Sequence, residues 1–479
     1  MKISFHGADK DVTGSCHLIE CAGKKILIDC GLFQGGRDLS EENAEDFGFD
    51  AATIDFVLLT HAHLDHCGRL PLLVKRGFHG EIITTAASKD LARLVLLDSA
   101  HLQEADAKSQ QHRQQRHRRH SREHIHPEEA LYTIYDATRC FDFFGRVAHY
   151  EHAIKVAPGI TATFYDAGHI LGSASIAIDL KERSKTCRII FSGDLGSDGR
   201  KILRDAVAPP AADIVVMETT YGDRLHRSLK ESVKEFYLAI NETFKHGGNV
   251  IIPTFALERS QEILWYLREG VEKGLLPAAM HVFLDSPMAI SATEIFRHHP
   301  ECYDEEASKL FQQKRDPFQL NNLHITRDAA DSMAINRITS GAVILAGSGM
   351  CTGGRVRHHL KHHLWRKNAS VVFVGFAAQG TLARQIIDGA KSIRLFGEEI
   401  DVNANIYTIN GFSAHADQAE LLAWQKKTQA QHTVLVHGEE EVMQSFAKRL
   451  KNTAVLIPEK GQCFSLPDLG SQSMSANSN

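Results

Sequence analysis

The chain has 479 residues, 43% hydrophobic and 24% charged, with a formal net charge of −5. That is the balance of a soluble globular protein, too long for one ordinary core and so expected to hold two or three domains, and its charge excludes a protein coated in positive charge for nucleic acid. No run approaches the ~20 apolar residues of a membrane span, and the opening MKISFHGADKDVTGS lacks the basic start and apolar stretch of a signal peptide. The nine cysteines are odd in number, scattered and without a C-x-x-C pair, which argues against a disulfide framework or zinc knuckle and fits a reducing cytoplasm.

The first 200 residues read mostly as strands joined by tight turns. CHLIECAGKKILIDCG predicts a hairpin turning at Ala22 to Lys24, and TATFYDAGHILGSASIAIDL and CRIIFSGDLG have the same alternating character. Helical stretches such as SKDLARLVLLDSAHLQEADA lie between them. The run HRQQRHRRHSREHIH, residues 112–126, holds five Arg and one Glu, which leaves −9 for the remainder. It reads as a solvated, partly helical insertion, or as a phosphate-backbone contact arm whose five histidines add charge on protonation.

From about residue 210 strand and helix alternate: ADIVVMET, LKESVKEFYLAINETFKHG, NVIIPTF, RSQEILWYLREGVEKG, HVFLD, and then AVILAGSG and SVVFVGF with their helices. This pattern implies βαβ units on a mainly parallel sheet, a second domain over 210–395. IDVNANIYTI and HTVLVHG return to strands over 396–465, with the helix ADQAELLAWQKK between them, and 466–479 has the composition of a disordered tail.

The densest chemistry is HAHLDH at 61–66, directly after the apolar run IDFVLL and Thr60. His61 and His63 lie two apart, so in an extended segment they project to one side, as two ligands of one ion must. Asp65 and His66 point elsewhere and could serve a second ion. A single histidine among 28 is by default a satisfied surface or core residue. Four ligand types in six positions are not, the less so with Asp194 in SGDLG and His169 in DAGHILGSA at similar strand-end loops.

These residues resemble the metallo-β-lactamase superfamily, with its H-x-H-x-D-H signature, an upstream Asp (Asp29 in KILIDCG) and later His and Asp ligands. METTYGDR with Glu218, PTFALERSQE, AGSGMCTGGR, GFSAHAD with His415 and VHGEEE with His437 further resemble the β-CASP nucleases in their RNA-processing branch. The resemblance covers about residues 1–460 and implies an αββα sandwich of 1–209 and 396–465 interrupted by the β-CASP domain. The last segment would complete the sandwich's sheet and bring His415 and His437 to the metals. The resemblance puts one metal on His61, His63 and His169 and a second on Asp65, His66 and His437, with Asp194 bridging. Nitrogen and carboxylate ligands suit two Zn²⁺ per chain and accommodate Mn²⁺. Asp29 would accept a hydrogen bond that fixes a ligand of the HAHLDH loop.

A phosphodiester needs a nucleophile at neutral pH and charge neutralisation at phosphorus, which two ions about 3.5–4 Å apart supply through a shared water. The remaining need is a proton for the leaving oxygen. His415, oriented by Glu218, is the candidate donor, because a carboxylate partner raises an imidazole's pKa and holds its tautomer. Asp65, Glu218 and His415 are thus the expected catalytic side chains. The alternative is a strand-capping Glu218 and a helix-entry hydrogen bond from His415. GSGMCTGGRVRHHL is a glycine-rich turn running into a helix, where backbone N–H groups receive phosphate. With Arg259 and Arg384 it points to Ser348 and Gly349 on a phosphate path between the domains.

The expected activity is a metal-dependent ribonuclease, internal or from a 5′ end, with RNA as substrate, no membrane, and either a homodimer or an RNA-processing complex as its assembly. RNA over DNA rests on the resemblance alone, through His437, where the DNA-repair branch has an apolar residue. A non-nucleolytic metallo-hydrolase would leave the roughly 185-residue second domain without a task. A catalytically inactive scaffold subunit would have lost ligands that this chain retains.

Overall fold

The computed structural model describes residues 1–35, 41–117, 130–375 and 377–466, with side chains left out for 110–117. The Arg/His run from 118 onward and the tail from 467 lie outside the described residues, while residues up to His117 continue the helix Ala86–His117. The chain divides into two compact units. One comprises Met1–Asp198, Asp205–Arg224 and His415–Asn479; the other Gly199–Arg204 and Leu225–Ala414.

The first unit is built on two seven-stranded sheets. The hairpin His17–Cys21 and Lys24–Ile28 pairs Cys21 with Lys24 across Ala22 and Gly23, both with positive φ (51° and 73°), the backbone that a two-residue hairpin turn requires. Period-two alternation then decides the core. Ile160, Ala162 and Phe164 on one strand and Ile176, Ile178 and Leu180 on the next face Ile3, Phe5, Ile19, Ile26 and Ile28 of the other sheet. The reverse face of the second sheet, with Ile190, Val215, Met217 and Leu435, is covered by Leu421 and Trp424 of helix Gln418–Thr428 and by Met443 and Phe446 of helix Glu440–Ala447.

The second unit has a six-stranded parallel sheet, whose central strands Ala342–Ala346, Val250–Pro253 and Ser370–Phe373 are buried at every position. Helix Leu229–Lys245 leads into Val250–Pro253, and helices including Arg259–Glu272 and Val356–His363 follow strands of the sheet. Such sheets bury both faces, which is why their sequences read as unbroken apolar runs.

That rule also explains the first of two departures from the sequence reading. Ile214–Glu218, placed there in the alternating second domain, pairs in parallel with Ile189–Phe191 and His432–Val436 in the first unit. It is buried at all five positions, so its apolar run is the same as a β-CASP strand's, and only long-range pairing distinguishes them. Asn405–Thr408, expected to complete the sandwich, instead extends the parallel sheet beside Ser370–Phe373. No helix among the described residues is long and apolar enough to cross a membrane.

Phe164 is fully buried between the two sheets. Phe164→Ala should destabilise the first unit by ~3–5 kcal/mol. Urea unfolding followed by circular dichroism tests this, and a loss below ~1 kcal/mol would contradict the packing.

Candidate metal centre

Ser15, the loop after strand Lys24–Ile28 and the HAHLDH segment are laced by backbone hydrogen bonds. Cys30 N–H donates to the His66 carbonyl (2.8 Å), Leu32 to Leu64 (2.8 Å) and Ser15 to Asp65 (2.8 Å). A Cβ on Gly31 would sit 1.6 Å from the Asp65 carbonyl oxygen, so only glycine permits this approach. Gly196 plays the same part for the other ligand loops, where a Cβ would lie 1.9 Å from the Gly168 carbonyl oxygen, next to His169.

Four side chains converge first. His63 Nδ1 lies 3.1 Å from both His61 Nε2 and His169 Nε2, and Asp194 Oδ2 lies 3.4 and 3.5 Å from those two Nε2 atoms. A tetrahedral ion with bonds of ~2.0–2.1 Å sets its ligands about 3.3–3.4 Å apart, so these separations fit one cation. Asp65, His66 and His437 form a second cluster, with His437 Nε2 3.5 Å from Asp65 Oδ2. Asp194 reaches this cluster with its other oxygen, Oδ1, 3.2 Å from His66 Nε2 and 3.6 Å from His437 Nδ1. His66 Nε2, His437 Nε2 and Asp194 Oδ1 are all buried and make no hydrogen bond among the described residues. Leaving such a group unsatisfied costs about 1–3 kcal/mol, and a cation satisfies all three at once.

The hydrogen bonds behind the ligands fix which nitrogen faces inward. Thr60 N–H and Oγ1–H donate to Asp29 Oδ1 and Oδ2 (2.7 and 2.8 Å), and His66 Nδ1 donates to Asp29 Oδ2 (2.7 Å), leaving His66 Nε2 facing the cluster. Since the Thr60 hydroxyl is already a donor, it accepts from His61 Nδ1 (3.1 Å), which turns His61 Nε2 inward. Thr220 Oγ1 does likewise for His437 Nδ1 (3.1 Å). Asp29 and His437 both adopt positive φ (62° and 50°), a strained backbone held by these contacts. Sequence reasoning missed Thr60 and Thr220. Their only signal is adjacency, one directly before HAHLDH and the other two residues after Glu218.

Protonation states in the first cluster suit a cation, whereas in the second burial is outweighed and the carboxylates of Asp194 and Asp29 raise His66 and those of Asp194 and Asp65 raise His437. Burial pushes the His61 imidazole down to about 3, and burial with the His415 charge holds His169 well below its ordinary value, so both are neutral. Burial alone would raise Asp194, yet His437, His66 and His61 hold it well below the usual carboxylate range.

Asp194, Glu218 and His415 form a third close group. Both Glu218 oxygens lie on His415 Nδ1 (3.3 and 3.2 Å), and Oε1 also accepts from Leu195 N–H, the geometry of a carboxylate holding a donor nitrogen. The His415 ring lies 4.5 Å from that of His169, centroid to centroid. Burial would lower His415, but the Glu218 charge and hydrogen bond outweigh it and raise the imidazole to about 9.

Ser348, Gly349, Arg259 and Arg384 lie in the second unit, following the carboxyl ends of three adjacent parallel strands, where open α/β sheets bind ligands. Arg259 and Gly349 line one small cavity with Pro253, Phe255, Phe373 and Ala377. Arg259 is ion-paired with Glu262, and Arg384 with Asp388. Within the glycine-rich turn, the Ser348, Cys351 and Val356 N–H groups donate to Gly353, Ser348 and Gly347 carbonyls.

Three family models match in chain order: the metallo-beta-lactamase superfamily over residues 9–239, the Beta-Casp domain over 260–386, and the Zn-dependent metallo-hydrolase RNA specificity domain over 399–458. A protein named Ribonuclease TTHA0252, from Thermus thermophilus, is 37% identical over 98% of this chain and 99% of its own length. The chain belongs to the β-CASP ribonuclease family of metallo-hydrolases. A Transcription termination factor FttA from Methanocaldococcus jannaschii is 30% identical over 96% of this chain and 70% of its own, and an RNase J-like protein from the same organism is 28% identical over 96% and 98%. Among solved structures, a protein of unknown function from Enterococcus faecalis V583 matches 97% of this chain and 99% of its own at TM-score 0.55 and 13% identity, a likeness of fold. The sandwich with an inserted β-CASP domain is thus the fold of this family, as the sequence reading expected.

Gly31→Ala and Gly196→Ala each force a ligand loop away from its neighbour. Both should lose most bound metal while the far-UV circular dichroism stays near wild type. Plasma emission analysis of the purified variants checks this, and wild-type metal content in both would refute the arrangement.

Proposed function

We propose that this β-CASP protein is a metal-dependent ribonuclease that hydrolyses RNA phosphodiester bonds with two divalent cations, the Glu218–His415 pair protonating the leaving oxygen. The observation that carries the reading is Asp194, one carboxylate whose two oxygens face two separate ligand clusters. RNA as substrate draws support from the end-to-end similarity to a protein named a ribonuclease and from the RNA specificity domain match. His61, His63 and His169 would hold one cation and Asp65, His66 and His437 the other, with Asp194 on both. The nitrogen and carboxylate donors suit Zn²⁺ and accommodate Mn²⁺.

When bound, the two cations supply a nucleophile at neutral pH and neutralise charge building on phosphorus. The chain's own residues do the remainder. Asp29, Thr60 and Thr220 hold three imidazoles in the tautomer that presents Nε2. Glu218 takes the His415 Nδ1 proton as a hydrogen bond and keeps the imidazole protonated, so a proton is available at Nε2 for the departing oxygen. Internal cutting and cutting from a 5′ end both use this chemistry.

Reconstituted with Zn²⁺ or Mn²⁺, the protein should cleave end-labelled RNA, and Asp194→Ala should abolish both cleavage and most metal binding. Wild type that binds two ions per chain yet hydrolyses a thioester and spares RNA would overturn the assignment. His415→Ala should lower kcat by ~10²–10⁴ with metal content unchanged. Loss of metal in that variant would make His415 a ligand and end its role as proton donor.

A further inference from the structure

The second unit carries an exposed surface that the hydrolytic centre does not use. Residues 355–368, RVRHHLKHHLWRKN, contain three Arg, two Lys and no acidic residue in a chain of net charge −5. Helix Val356–His363 buries Val356, His359, Leu360 and His363. Its other side carries His358, Lys361 and His362, and Trp365 follows just past the cap, at spacings of 0, 3, 4 and 7 residues that define one helical face. An ordinary solvent face would hold Glu and Lys there. This one holds two imidazoles, an ammonium and an indole that is 53% exposed.

A hairpin, Ser392–Leu395 and Glu398–Asp401, lies against this helix, with Ile393 and Leu395 in the same apolar cluster as Leu360 and Leu364. Its two-residue turn is Phe396–Gly397, both at positive φ (52° and 86°). Such a turn favours Asn-Gly, and a bulky aromatic ring in left-handed backbone is strained. The ring is nonetheless 46% exposed, stacked on His358 at 4.4 Å and 21°, with the Arg357 guanidinium 4.9 Å from its centroid. A residue that is unfavourable for its turn and exposed to water points to function at that position.

We propose that Phe396, the His358–Lys361–His362 helix face and Trp365 form a stacking surface for single-stranded RNA, a specificity element that rests on the ribonuclease reading. Aromatic faces accept any base, and Arg357, Lys361, Arg366 and Lys367 match the phosphate charge. Glu398 pairs with Lys361 at 2.7 Å and Glu399 accepts from Ser392 Oγ. The Lys361 pair is exposed, and such pairs are weak enough for phosphate to displace.

Trp265 and Trp424 are buried at 0% and 4% exposure, so quenching of tryptophan emission reports on Trp365. The probe is a 2′-O-methyl oligoadenylate of about 12 nucleotides, within the ~4–16-nucleotide footprint usual for such surfaces. It should quench the emission. Trp365→Ala, followed by anisotropy of a labelled probe, and Phe396→Asn should each weaken binding on the order of 5- to 100-fold. Each should raise KM for long RNA in proportion, leaving kcat and the hydrolysis of bis(p-nitrophenyl) phosphate unchanged. Phe396→Asn suits the turn, so its Tm should equal or exceed wild type, which a purely structural ring would not allow. Wild-type affinity in both variants overturns the proposal, as does loss of self-association or of binding to a protein with RNA affinity intact. Intact oligonucleotide binding without any RNA hydrolysis by the wild type would instead sink the ribonuclease reading and leave the stacking surface standing.

Discussion

Everything at the candidate metal centre hangs on the placement of one carboxylate. Asp194 is 1% exposed and points one oxygen at His61 and His169 and the other at His66 and His437. A buried anion is costly unless cations or donors surround it, and of the imidazoles that face Asp194 those of His61 and His169 are neutral and meet only part of that demand. The chain holds it there with backbone pairing. The Asp194 loop bridges the His415 segment through Gly196, and Ala416 N–H donates to the Leu195 carbonyl at 2.7 Å. The same pairing that fixes Asp194 therefore fixes the proposed proton donor relative to it.

A second layer explains why the ligands need so little adjustment. The inward nitrogens of His66, His61 and His437 are selected by what the other ring nitrogen touches, through Asp29 and the hydroxyls of Thr60 and Thr220. Two of the supporting positions, Asp29 and His437, use left-handed backbone that costs of order 1–3 kcal/mol each, and two glycines permit approaches that no other residue allows. Local strain of this kind persists where surrounding contacts determine it. Here the surroundings are two sheets packed face to face, whose strand ends deliver the loops that carry these side chains.

How much of this was legible in the sequence depended on the range of the interaction. HAHLDH could be read because its ligands are local and its strand ends where the charges begin. His169 and Asp194 were legible by their strand-end loops, and His437 only through resemblance, since nothing local distinguishes it from the 27 other histidines. Thr60 and Thr220 carry only the weak signal of adjacency, because a threonine beside a histidine or carboxylate is common and its hydroxyl's direction is set by tertiary contacts. Ile214–Glu218 pairs in a sheet that its own sequence does not name, for a related reason. A strand buried on both faces carries no alternation to say which neighbours it has, and the helix after it imitates a βαβ unit. Asn405–Thr408 failed similarly, as four residues at a sheet edge carry too little pattern to name their partner.

Phe396 shows the converse, a place where local sequence logic fails and the failure is informative. Hairpin turns with two left-handed residues are among the best-understood local structures, and this protein builds one correctly at Ala22–Gly23, with a small side chain at the first position. At 396 the same geometry carries a phenylalanine that neither fills a core nor eases the turn. Natural sequences are locally consistent except where function opposes stability. The neighbouring helix departs from the ordinary rule on the same side, replacing solvent-facing acids with imidazoles and an indole. Two independent departures that meet at one ring, Phe396 stacked on His358, are harder to attribute to drift than either alone, and both change the surface in the direction that an anionic, base-bearing polymer would favour.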